Sequence, residues 1–156
     1  SEAACRQLAS RARARVRETR PRGVVQPLAA SSEVDPKHAA LVSAFVAASR
    51  SGDIEGLRRL LASDARLVTD GGGKVAAALK VLDGADRVAA FLAGVVPKGW
   101  TDDMSVRFEM VNGLPGLLVT GANGMVQTNA FEIEDGVVQA IYVVRNPDKL
   151  KHLVSP

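Results

Sequence analysis

Three short constellations hold the residues best suited to chemistry in this chain. Asp70-Gly71-Gly72-Gly73-Lys74 places a carboxylate and an ammonium at the two ends of three consecutive glycines. Such glycines permit positive φ and close backbone approach, and Lys74 offers a cation to an anion or to a carboxylate of another domain. It is not a phosphate-binding loop, because the Gly-Lys-Ser/Thr arrangement and its spacing are missing. A flexible hairpin between two strands is the plainer reading. The second constellation, Arg145-Asn146-Pro147-Asp148-Lys149-Leu150, reads locally as a turn that ends a strand. Proline cannot continue a ladder, and Asn and Asp bond their own backbone. In the third, Met125, Gln127, Asn129, Phe131 and Ile133 share one face of an alternating run, which sets two amides among core-type side chains. Buried amides need partners. A small ligand would supply them, with Trp100 or Tyr142 as a wall; the alternative is a wet face, or pairing between neighbours.

Catalytic chemistry finds less support. His38 lies at a helix start and His152 in the tail, so neither is placed as the base of a pocket. There is no His/Asp/Glu cluster with metal spacing and no nucleophile beside a base motif. Neither a metal nor a cofactor is expected. Asp102-Asp103 and Glu132, Glu134 and Asp135 read as solvated turns and strand edges. Cys5 is the single cysteine, which excludes an internal disulfide and fits a reducing cytoplasm.

The elements that must position these residues follow from charge and periodicity. The net charge is +3, but residues 1–22 carry seven Arg against Glu2 and Glu18, leaving 13 Lys/Arg against 15 Asp/Glu in the remainder. A basic arm on a mildly acidic domain is the asymmetry expected when one segment meets nucleic acid. Ala4, Leu8, Ala12 and Val16 lie four apart, which predicts one amphipathic helix to about Arg20, ended by Pro21. Its start shows no signal-peptide or transit-peptide pattern and reads as a helix entered part-way along. Residues 23–35 have linker composition. Asp35-Pro36 then signals a helix start, with Leu41, Val42, Phe45 and Val46 as its stripe. Asp53 is expected to cap a second helix through Leu61, and Asp83 with Asp86 to open a third carrying Val88, Phe91, Leu92 and Val95. Short strands are expected at 65–70 and 79–82.

After Trp100 the period changes to two. Met104, Val106, Phe108 and Met110 share a face, and strands follow near 117–121, 125–133 and 137–145, turned at Ala122-Asn123-Gly124 and Asp135-Gly136. Three helices with two short strands, followed by an antiparallel meander, predict an α+β fold with helices on one side of a curved antiparallel sheet. No apolar run approaches the roughly 20 residues that span a bilayer, so no membrane partner is expected.

That order resembles the nuclear-transport-factor-2-like cone of ketosteroid isomerases and SnoaL-type polyketide cyclases. Ser1–Val16 is similar to the recognition helix of region 4 in extracytoplasmic-function sigma factors, which reads the −35 promoter element. Asp70–Lys74 and Arg145–Leu150 resemble two motifs of those sigma factors that carry a C-terminal SnoaL-like extension. The resemblance implies three parts: residues 1–22 as the end of region 4, a linker at 23–35, and a SnoaL-like domain at 36–156.

It also implies roles. Arg6 and Gln7 would reach bases and Arg11 and Arg13 the DNA backbone, although region 2 and the first helices of region 4 are absent from this chain. Asp70, Gly71, Gly72, Gly73 and Lys74 form one interdomain contact cluster, and Asn146, Pro147, Asp148, Lys149 and Leu150 a second. The implied partners are sigma regions 2 and 4 of the same protein, the RNA polymerase core and, through the whole protein, promoter DNA. The expected function is regulation of a cytoplasmic sigma factor in cis, with an unidentified small ligand in the cone as the alternative. A cyclase or isomerase, with Asp70 as a carboxylate at the cone mouth, is the third reading. Pairing of exposed strands into a homodimer is left open.

Overall fold

Asp35 begins the first described helix as its sequence predicts. Its carboxylate accepts from Lys37 N at 2.7 Å, and Pro36 occupies the first turn, where no amide donor is needed. This helix, α1 (Pro36–Ser51), ends at Gly52 in the left-handed conformation, φ 69°, whose N–H reaches back to Ala48 and Ser49. Asp53 then accepts from Gly56 N at 2.9 Å and starts α2 (Ile54–Leu60). The structure, a computed structural model, describes Gln7, residues 34–78 and residues 80–153. Ser31–Pro156 forms one compact unit.

Leu61 opens β1 (Leu61–Asp70), which starts four residues earlier than its alternation suggests. β2 is only Leu82–Asp83, antiparallel to β1. The next helix, α3 (Ala85–Gly99), is capped by Gly84 at φ 98° with no side-chain bond. The expected Asp83 cap is therefore corrected: β2 brings Asp83 across to Arg66 Nε at 2.9 Å, and Asp86 pairs with Arg58 at 2.8 Å. No described helix is long and apolar enough to cross a membrane.

Four strands follow as the expected meander: β3 (Ser105–Val111), β4 (Leu114–Thr120), β5 (Val126–Glu134) and β6 (Val137–Val144). Asn112-Gly113 and Asp135-Gly136 both hold positive φ at two successive residues, as mirror-image hairpin turns require. The sheet order is β2-β1-β6-β5-β4-β3, with β1 parallel to β6. The sheet is thus mixed, which corrects the antiparallel expectation. Side-chain alternation sets which face is buried, not the direction of the neighbouring strand, and the long connection from β1 to β6 leaves room for a parallel return. A fourth, short helix, α4 (Pro147–Leu150), runs into a 3-10 turn, Lys151–Leu153.

Register shifts between Leu61 and Arg66 and between Glu132 and Ile133 bend the sheet around the helices. Val42, Leu57, Leu67, Val88, Val138 and Ile141 are fully buried between the layers, and Phe45 meets Phe131 edge-on at 5.4 Å. Phe108 and Met110 stay exposed although they share the alternation of Val106, because β3 is an edge strand.

Candidate functional site

Asp70 and Val144 are register partners on β1 and β6, so the residues that follow them leave the sheet side by side. Arg145 N donates to the Asp70 carbonyl at 2.7 Å, and Lys74 N and Val75 N close a turn onto the Gly71 carbonyl at 3.1 Å. Asp70 Oδ1 accepts from Gly72 N at 2.9 Å, while Oδ2 takes Lys149 Nζ at 2.6 Å. In the reverse sense, Lys74 Nζ donates to Asp148 Oδ2 at 2.6 Å, and Lys151 holds the other Asp148 oxygen at 3.2 Å. Asn146 caps α4 by accepting from Asp148 N at 3.1 Å, with Pro147 in the first turn. The two motifs that sequence treats as separate are one clasp of crossed ion pairs.

Within the clasp, Gly72, Gly73, Lys74, Pro147, Asp148 and Lys149 are exposed, and Asp70 and Asn146 are half-buried. Gly71 and Leu150 are buried. The hydrogen bond from Lys149, then that from Gly72 N–H, holds Asp70 below the usual carboxylate range. Lys74 and then Lys151 do the same for Asp148. Lowered folded values mean that the clasp contributes fully above the ordinary Asp pKa of about 4 and is lost as pH falls through the folded values. Carboxyl titration by NMR should find both groups below the ordinary range, and concentrated salt should move both upward by screening.

Inside the cone, α1, α3 and the sheet enclose a cavity of about 380 Å³. Gln127 and Asn129 line it as the alternation predicts, and they bond each other, Nε2 to Oδ1, at 2.9 Å. Trp100 also lines it and carries the Arg50 guanidinium 4.4 Å over its ring. Tyr142 does not. Its neighbours Ile141 and Val143 take the cavity face, so Tyr142 lies on the opposite side of β6 and donates to Glu132 at 3.1 Å. Burial, then the Glu132 charge, pushes its phenol pKa up.

Three further polar residues reach the cavity that sequence reasoning did not assign to it: Ser49, Thr69 and Arg145. Ser49 Oγ and Arg145 Nε are buried without a hydrogen-bond partner. Arg145 follows the alternation of Ile141 and Val143, so its side was legible once β6 was placed. Among the described residues no Asp, Glu or His lines the cavity, and Asp70 is ion-paired, which lowers its pKa. Among the described residues no cluster of His, Cys, Asp or Glu has the grouping to hold a metal ion. Of the expected DNA contacts, Gln7 is exposed, and Arg6, Arg11 and Arg13 lie outside the described residues.

A bent six-stranded sheet closing over three helices, with a cavity between the layers, defines an α+β nuclear-transport-factor-2-like cone. Solved structures agree: an NTF-2 like protein of unknown function from Burkholderia xenovorans LB400 superposes with TM-score 0.53 at 17% identity, over 77% of this chain and 94% of that one. A de novo designed protein with curved beta-sheet gives TM-score 0.53 at 20% identity, over 78% and 94%. No protein-family model matches the chain. The chain is 33% identical over 157 residues to the ECF RNA polymerase sigma factor SigJ of Mycobacterium tuberculosis, covering 96% of this chain. The crystal structure of that extracytoplasmic function sigma factor matches 97% of this chain with TM-score 0.64 and 31% identity. Over its length the chain is thus similar to part of an extracytoplasmic-function RNA polymerase sigma factor. It spans about half the length of that relative, 48%.

Proposed function

We propose that the cone is an in-cis regulatory domain of a sigma factor, docking on sigma regions 2 and 4 of the same protein through the clasp and the linker at 23–35. In this reading residues 1–22 end region 4, with Arg6 and Gln7 toward bases and Arg11 and Arg13 toward phosphates. Docking alters how the whole protein engages the RNA polymerase core and promoter DNA.

The clasp is the observation that carries the proposal. Its ion pairs are solvent-exposed, with Lys74 and Lys149 side chains 57% and 64% accessible. Pairs of this kind contribute little to folding, because water and salt screen them. They hold the domain weakly, yet they concentrate three cations and two carboxylates on one surface at one end of the sheet. Such charges exchange partners at low cost when another domain presents complementary groups.

Run-off transcription with the full-length sigma factor tests this. Truncation after Arg22, the Asp70→Ala/Lys74→Ala pair and the Asn146→Ala/Asp148→Ala pair should each change output by at least about fivefold, the lower end of typical coupling between sites. Circular dichroism and thermal unfolding should show the Asp70/Lys74 variant still folded. The swap Asp70→Lys with Lys149→Asp rebuilds an ion pair and inverts its polarity; output that stays altered locates the effect in the outward charges. Unchanged output in every variant overturns the proposal.

A further inference from the structure

We infer that the cone cavity is a binding site for a small anionic amphiphile: an apolar body bearing one carboxylate, with the carboxylate held by Arg145 beside Gln127. The cavity, at about 380 Å³, falls within the range of ligand sites of roughly 300–1,000 Å³. Its walls are mostly apolar, with Phe91, Val96 and Trp100 on the helical side and Leu117, Val119 and Phe131 on the sheet.

The polar groups are not scattered. Thr128 pairs with Val144, so one residue further along both strands Gln127 faces Arg145; Asn129 pairs with Val143, and Thr69 flanks Val143 from β1. These side chains therefore gather at the end of the sheet where β6 leaves it. Among the described residues, Arg145 is the only charged one that lines the cavity. One of its terminal guanidinium nitrogens, Nη1, donates to the Ala76 carbonyl at 2.7 Å, while Nε remains buried and unpartnered. A guanidinium set in an otherwise apolar wall offers an incoming carboxylate a charge-assisted bond.

Ser49 lines the cavity from α1 and is 4% exposed. A single cationic group with neutral amides in an apolar chamber fits a monoanion better than a phosphate dianion, which needs more than one positive partner to leave water.

This inference stands without the regulatory reading, since it concerns binding alone. Arg145 nevertheless belongs to both features, because its backbone N–H holds the Asp70 carbonyl of the clasp.

The test is isothermal titration calorimetry of the 156-residue chain with 6-phenylhexanoate, and with 6-phenylhexanamide as the neutral counterpart. One acid should bind per chain, the amide at least tenfold more weakly. Arg145→Met should abolish that preference, and Phe108→Ala, on edge strand β3 outside the cavity, should leave it in place. Independently of any substitution, NMR titration of the unaltered chain should shift the Arg145 Nε–H and Trp100 indole resonances. Absence of saturable binding, equal binding of acid and amide, or shifts confined to other regions would overturn the inference.

Discussion

Phe131→Ala is expected to lower stability by about 3–5 kcal/mol, the usual cost of removing a buried aromatic side chain. Phe131 is 2% exposed, packs edge-on against Phe45 and forms part of the cavity wall. Its loss would remove the α1–β5 aromatic contact and enlarge the cavity. Urea unfolding followed by circular dichroism should show a midpoint far below that of the unaltered chain. Phe108→Ala is the informative control. Phe108 occupies a strand position of the same apparent core type, yet it is 42% exposed on edge strand β3. Its replacement should stay within about 0.5 kcal/mol, as for surface changes in general. Equal losses at both positions would mean that the edge strand is covered in solution.

The second large effect is expected at Gly72. Its φ of +62° is a conformation that β-branched residues avoid, and an added Cβ would overlap the Asn146 side chain. Gly72→Val should therefore cost about 1–3 kcal/mol in backbone strain alone. Displacement of Asn146 adds to that, because Asn146 caps α4. Gly73 separates the two contributions. It has φ +70° but open space where a Cβ would stand, so Gly73→Ala meets strain without collision. Thermal unfolding should rank Gly72→Val clearly below Gly73→Ala. Limited proteolysis should cut the 146–153 tail faster in the first variant than in the second. A tail equally protected in both would show that Asn146 does not depend on Gly72 for its position.

Much of the fold is local and was readable. Asp35-Pro36 and Asp53 start their helices because a carboxylate two or three residues ahead of free N–H groups satisfies them wherever the rest of the chain lies. The alternation of Met125, Gln127, Asn129 and Phe131 put both amides on the cavity face, since a strand's period of two is geometric. Asn112-Gly113 carried an equally clear hairpin signal, yet β4 was expected only from about residue 117, and the structure begins it at Leu114.

What tertiary structure decided concerns partners that no local rule selects. Asp83 looked like a helix cap, but β2 pairing sets it beside Arg66, 17 residues away. Tyr142 carried the chemistry of a pocket wall, and its parity on β6 turned it to the other face. The contact motifs at 70–74 and 146–150 were visible as motifs, whereas their union into one clasp was not. Its ion pairs join residues 74 and 79 positions apart, and they meet because β1 lies parallel to β6. Sequence by itself determined the elements, their buried faces and the residue types at their ends, because caps, turns and periodicity act over a few residues. Strand direction, the pairing of charges and the burial of Arg145 Nε and Ser49 Oγ were settled by packing, which brings distant segments together only once the sheet has closed around its helices.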